Sequence, residues 1–181
     1  MTIPALESSG VVHTKGMNLV KIARLASLVF LSSGSTLAAK STVPSDFKLS
    51  LERQACYGFC PMYTVSVDHK GQVTYVGERF VKLKGTYKAQ LTPSQLERLW
   101  QALERAKLGQ YKSEYKTMSV TDNPSAILKV SGIKIGARVG SKTIDHYFGD
   151  KTAPESLTRL ENEVDALVGT RKWVGTGIYR E

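Results

Sequence analysis

The sequence predicts an α+β domain: an antiparallel sheet of short strands and hairpins with two amphipathic helices packed on one face. Three observations carry this expectation. Apolar and polar residues alternate with period two in several segments, the pattern of strands with one buried and one wet face. The connections between those segments are turns, too short for the crossover a parallel pair needs. Two later segments switch to apolar spacings of three and four residues, the period of a helix with one buried stripe.

Taken in order, residues 40–46 form a linker-like entry. Phe47, Leu49 and Leu51 alternate with Lys48, Ser50 and Glu52 as a half-buried strand. Tyr63, Val65 and Val67 form the next strand, and a turn at 68–71 leads into 73–77 as the second arm of a hairpin. Residues 80–83 and 86–91 alternate again, separated at Gly85. The first helix follows. Thr92 is placed to cap it, Pro93 suits the first helical position, and Gln95 completes a capping box. Leu96, Leu99, Trp100 and Leu103 form its buried stripe, and Gly109 is expected to end it.

Residues 110–125 carry no period, and so long a loop in a small domain is either functional or tightly packed. Strand pattern resumes over 126–139, interrupted at Gly132 and Gly136, with a turn expected at 140–141 and a return over 142–148. The second helix is expected from Thr152, with Glu155 placed for a capping box. Leu157, Leu160, Val164 and Leu167 form its stripe, and Gly169 is its stop. Trp173 lies in a closing segment expected to fold back on the core. One domain is thus expected over 47–174, with a tail at 175–181.

The segment before this domain reads as an export leader over 17–39. Lys21 and Arg24 precede the apolar run 25–31, and small residues continue to Ala39. The apolar run is shorter than the ~20 residues of a spanning helix, so no stable transmembrane anchor is expected. Residues 1–16 show no period and are expected to be untranslated or non-structural, with Met17 the better start. The protein is therefore expected outside the cytoplasm, in the periplasm or beyond. The chain's net charge of +9, about +7 without residues 1–39, could suit nucleic acid, which an exported protein rarely meets, and the plainer reading is that scattered Lys and Arg keep the protein soluble. If the charge has a partner, an anionic envelope component (lipid head groups, phosphorylated glycans, acidic wall polymers) or another envelope protein is expected, and no nucleic acid.

The two cysteines, Cys56 and Cys60, are the most distinctive feature. In an oxidising compartment so close a pair is expected to form a disulfide that fixes a tight turn. A redox-active dithiol is the alternative, although thioredoxin-type motifs have two intervening residues and sit in a βαβ pattern. A zinc site would need two more ligands, and His69 and His146 lack ligand spacing. Haem attachment would need a histidine where Pro61 stands. No metal and no cofactor is expected.

Arg53, Cys56, Tyr57, Gly58, Cys60, Pro61 and Tyr63 follow an R-x-x-C-[FY]-G-x-C-P-x-Y pattern. With Gly71, Val73, Tyr75, Gly77 and Phe80, with Asp122, Asn123, Pro124 and Ser125, and with 154–165 and Trp173, the chain resembles an exported bacterial family of unknown function. The resemblance implies a small envelope-associated α+β domain with no established activity, and it supplies no catalytic residues.

Three function classes remain. Arg53, Tyr57 and Phe59 on the cysteine loop, with Tyr111, Tyr115 and Asp122 on the long loop and His146 nearby, are the candidate binding surface of a non-enzymatic module. The plainer reading packs Tyr57 and Tyr115 under their own loops. A thiol-redox helper would use Cys56 and Cys60. A hydrolase-like enzyme would need Asp122, Asp145 and His146 together. Asp145 and His146 are strand neighbours that face opposite ways, and only a fold-over of the long loop would let Asp122 orient His146.

Overall fold

A computed structural model describes residues 42–117 and 122–177. The leader expected over 17–39 and the stretch 1–16 lie outside the described residues. Seven strands form one sheet: β1 (Lys48–Arg53), β2 (Met62–Asp68), β3 (Gln72–Arg79), β4 (Gly85–Gln90), β5 (Glu114–Tyr115), β6 (Ser125–Ile135) and β7 (Arg138–Tyr147). The spatial order is β4-β3-β2-β1-β6-β7-β5. Every pairing is antiparallel except the two-residue β5–β7 contact, which is parallel. The α+β expectation therefore holds, with one short parallel edge that the sequence did not announce.

Two helices, α1 (Pro93–Ala106) and α2 (Glu155–Val168), cover one face, and a four-residue helix α3 (Arg171–Val174) follows. The core between sheet and helices contains Phe47, Leu49, Leu51, Val65, Leu99, Leu128 and Leu157, all at or near zero exposure. Phe47 meets Trp100 edge-on at 5.4 Å, tying the start of β1 to α1. Burying each such side chain contributes about 1.5–3 kcal/mol.

Helix α1 begins as its sequence specifies: Thr92 and Gln95 form the reciprocal capping box, with Pro93 at the first position. It ends earlier than Gly109, at Ala106, where Lys107 takes the left-handed conformation and a 3-10 turn (Leu108–Gln110) follows. Helix α2 starts three residues later than expected. Thr152 is not its cap, because the Thr152 amide and hydroxyl both donate to Asp150 Oδ1 at 2.8 Å. Pro154 occupies the cap position instead. Gly169 does close α2 in the left-handed region. On the buried stripe Val168 takes the deep place expected of Leu167, which is half-buried.

Two strand boundaries also differ. Residues 80–83 are not a strand, because Phe80 turns the chain at φ 55°. The Lys82 and Leu83 amides then donate to Val174 and Trp173 carbonyls at 2.9 Å. This holds the closing segment down, and Trp173 stacks on Tyr75 at 4.9 Å. The last hairpin turns at 136–137, not 140–141, since Ile135 pairs with Arg138. Gly132 carries a bulge rather than a turn: Ser131 pairs with Ser141, and Ile133 with Gly140. The extra residue resets the two-residue alternation, so Ile133 faces the core.

A disulfide loop clamped by a buried ion cluster

Residues 54–61 join β1 to β2 and contain the Cys56–Cys60 disulfide, with the Cα atoms 5.7 Å apart. At the loop's base Arg53 and Tyr63 are register partners on β1 and β2. Both point to the helix-covered face, as the alternation requires, and both converge on one carboxylate of α2. Arg53 donates to Asp165 Oδ2 from Nε at 3.1 Å and from Nη2 at 2.8 Å. The Tyr63 hydroxyl donates to Asp165 Oδ1 at 2.8 Å, and the Thr170 hydroxyl reaches the same oxygen at 3.0 Å. Arg53 Nη2 also donates to Asn162 Oδ1 at 3.0 Å.

A second carboxylate lies one helical turn earlier. Glu161 is fully buried, 3.6 Å from Arg53 Nη1 and 3.1 Å from His146 Nδ1. His146 in turn meets Phe148 edge-on at 4.5 Å, and the Arg53 guanidinium lies 5.5 Å from the centre of that ring. Burial alone would pull the Arg53 pKa down. Asp165, with Tyr63 and Glu161, outweighs it and holds the guanidinium above its ordinary value. Burial, reinforced by Asp165, pushes the Tyr63 hydroxyl well above the ordinary tyrosine range. The cluster thus has a fixed protonation around Arg53 and Tyr63. Its cohesion is that of largely desolvated charges held by charge-assisted hydrogen bonds.

The loop held by this clamp exposes its aromatics. Tyr57 is 87% exposed and Phe59 49%. Phe59 packs edge-on against Phe80 at 5.4 Å, and the Arg79 guanidinium lies 4.8 Å from the Phe80 ring centre. Tyr57 therefore does not pack under its own loop.

The long loop behaves differently. Tyr111 and Tyr115 are core residues. Tyr111 donates to the Ser156 hydroxyl at 3.0 Å, and the Tyr115 hydroxyl accepts the Lys112 amide at 3.0 Å. The expectation that these rings join Tyr57 on a shared face is corrected: both are drawn inward, Tyr115 by its pairing with His146 at the sheet edge. Residues 118–121 lie outside the described residues. Asp122 is exposed, and the carboxylate that orients His146 is Glu161. Asp145 pairs with Lys116 on the opposite side of the strand. The structure therefore does not bring Asp122, Asp145 and His146 together. Among the described residues no group of His, Cys, Asp and Glu could hold a metal ion.

Glu161, Asp165 and Tyr63 are absent from the sequence reading of the site. One signal was available for Glu161. It falls inside the stripe Leu157, Leu160, Val164, Val168, where a carboxylate must meet a buried partner.

The fold and this cluster define a class of protein: a small α+β domain whose second helix clamps a disulfide-closed loop at one end of the sheet. The chain belongs to the family described as domain of unknown function DUF6438, whose model matches residues 47–168. The matched span includes the loop, both cysteines and the cluster from Arg53 to Asp165; Trp173 lies beyond it. No curated protein matches the chain.

Proposed function

We propose that this protein is an exported recognition module of the bacterial envelope. It presents the disulfide loop to another envelope protein or to an anionic envelope component. The observation that carries the reading is the exposure of Tyr57 and Phe59 on a loop whose base is immobilised by Arg53, Tyr63 and Asp165. Large aromatic side chains held in advance of contact lose little entropy on binding, which is why they serve as anchors at interfaces. The R-x-x-C-[FY]-G-x-C-P-x-Y pattern is then the sequence mark of that loop. Export is supported by the leader pattern over 17–39 and by a cysteine pair at disulfide distance. No helix of the described residues is long and apolar enough to cross a membrane.

Two measurements test the reading. Intact mass of the full chain expressed in an exporting host, alkylated with and without reduction, gives the cleavage site and the thiol state. The expected mass begins near Ala39 or Lys40, with alkylation only after strong reduction. Readily alkylated thiols would favour the redox-helper reading instead. A photo-crosslinking residue at position 57 is then compared with one at exposed Lys88 on the edge strand β4. Crosslinks from position 57 alone support recognition by the loop; equal yields at both positions would sink it.

A further inference from the structure

We infer that the tip of the β6–β7 hairpin is a docking surface for an anionic phospholipid bilayer. The hairpin leaves the sheet: β1 pairs with β6 only as far as Ser131, and β5 touches β7 only at Asp145 and His146. From Ile133 to Gly140 the two strands pair only with each other; one face rests through buried Ile133 and partly buried Ile135 on the end of α1 and the 3-10 turn, and the tip at 136–139 is exposed. Its charge is one-signed. Residues 125–144 contain Lys129, Lys134, Arg138 and Lys142 and no carboxylate, while the rest of the described chain is nearly balanced between acids and bases. No ion pair is formed by Lys134, Arg138 or the neighbouring Lys107 among the described residues.

The turn itself is apolar. Gly136 and Ala137 close it, and Val139, register partner of Lys134, is 61% exposed. An exposed aliphatic side chain with Lys134 opposite it, and Arg138 on the other face of the same tip, matches the interfacial region of an anionic bilayer, with apolar matter below and phosphates at the rim. A glycan would instead need aromatic platforms, and the described residues of the tip carry none; Glu104 and Gln110 line the hollow beside Lys134 and Gly136 at its base. This proposal does not rest on the loop reading, because the tip lies beyond the Lys48 end of β1 and the disulfide loop beyond its Arg53 end.

The test uses the full chain with vesicles of phosphatidylcholine, with and without phosphatidylglycerol. In Val139→Trp the added indole reports insertion at the tip, read as the difference from the parent protein. We expect its emission to move to the blue with the anionic vesicles only. At about 1 kcal/mol per cation near the surface, Lys134→Ala with Arg138→Ala lowers the partition coefficient about thirtyfold. Lys88→Ala, far from the tip, changes it less than about twofold. The proposal fails if Val139→Trp shows no shift with anionic vesicles or an equal shift with neutral ones. It also fails if the double variant loses less than about fivefold, or if soluble polyphosphate binds as well as the vesicles do. Should the double variant not fold, the Val139→Trp emission decides alone.

Discussion

The two ends of the sheet are held by opposite means. The loop end is fixed by charge: half-buried Arg53 and Asp165 and fully buried Glu161, with a tyrosine and a histidine completing their hydrogen bonds. The hairpin end is fixed by backbone geometry: a bulge at Gly132 and a two-residue turn at 136–137, with its cations left unpaired. The sheet between them is about 20 Å long, six residues of β1 at ~3.4 Å each. The same residue type thus plays contrary parts. Arg53 is consumed by the fold, while Lys134 and Arg138 are left to the outside. Position decides this: Arg53 faces the carboxylates of α2, whereas Lys134 and Arg138 stand at a tip that reaches past the end of α1.

The largest test of this contrast is Arg53→Ala, which leaves buried Glu161 and half-buried Asp165 without their cation. A loss of about 3–5 kcal/mol is expected, read by urea unfolding. A loss below about 1 kcal/mol would mean that the loop end does not depend on charge. At the hairpin end the matching change is Gly132→Ala. Gly132 has φ +74°, and an added Cβ would lie 2.8 Å from the Phe47 backbone nitrogen. Strain and backbone displacement together are expected to cost about 2 kcal/mol. Cys56→Ser with Cys60→Ser opens a five-residue ring, and the chain-entropy estimate for so short a ring is about 2 kcal/mol. Because Arg53 and Tyr63 stay clamped, the thermal transition should remain single.

Acid should reach the loop end. Asp150, just past β7, accepts the Thr117 and Thr152 amides, and these hydrogen bonds hold its carboxyl well below the usual range. A depressed folded pKa stabilises above the unfolded value, near 4, and that contribution is lost as pH falls below it. Asp150→Asn should therefore flatten the decline in melting temperature below about pH 4, and an unchanged acid limb would remove Asp150 from the account. The smallest effect belongs to Tyr57→Ala. A side chain so exposed carries little of the fold, so stability should move by less than about 0.5 kcal/mol. A larger loss would show that the ring is packed and not presented.

How much of this was legible in the sequence follows from the range of each interaction. The Thr92–Gln95 box and Gly169 were readable because a cap is made by residues three or four apart. The alternation over β1 and β2 was readable because one face is wet. Reading failed where a distant group took over a local one. Asp150 claims Thr152 and so moves the start of α2, and the Trp173 and Val174 carbonyls claim the 82–83 amides. The turn falls at 136–137 and not at 140–141; a glycine that serves a bulge and a glycine that serves a turn are alike in sequence. Within the site, Arg53 and His146 were identified as residues of interest, but their partners were not. Nothing within ten residues of Arg53 foretells Asp165, and the two tyrosines of the long loop looked available only because their burial is decided across the sheet.

The clamp also sets an order of events. The cysteines are four residues apart, so their ring can close as soon as both have emerged. Asp165 lies 112 residues beyond Arg53, and β6, the neighbour that completes β1, begins more than seventy residues after it. A chain emerging from its N-terminus would carry a closed ring on an unanchored base until almost all of the domain had followed. Non-local pairing of this kind makes folding slow. The loop's covalent link is thus local in sequence, while the clamp that holds its base is among the most distant contacts of the domain.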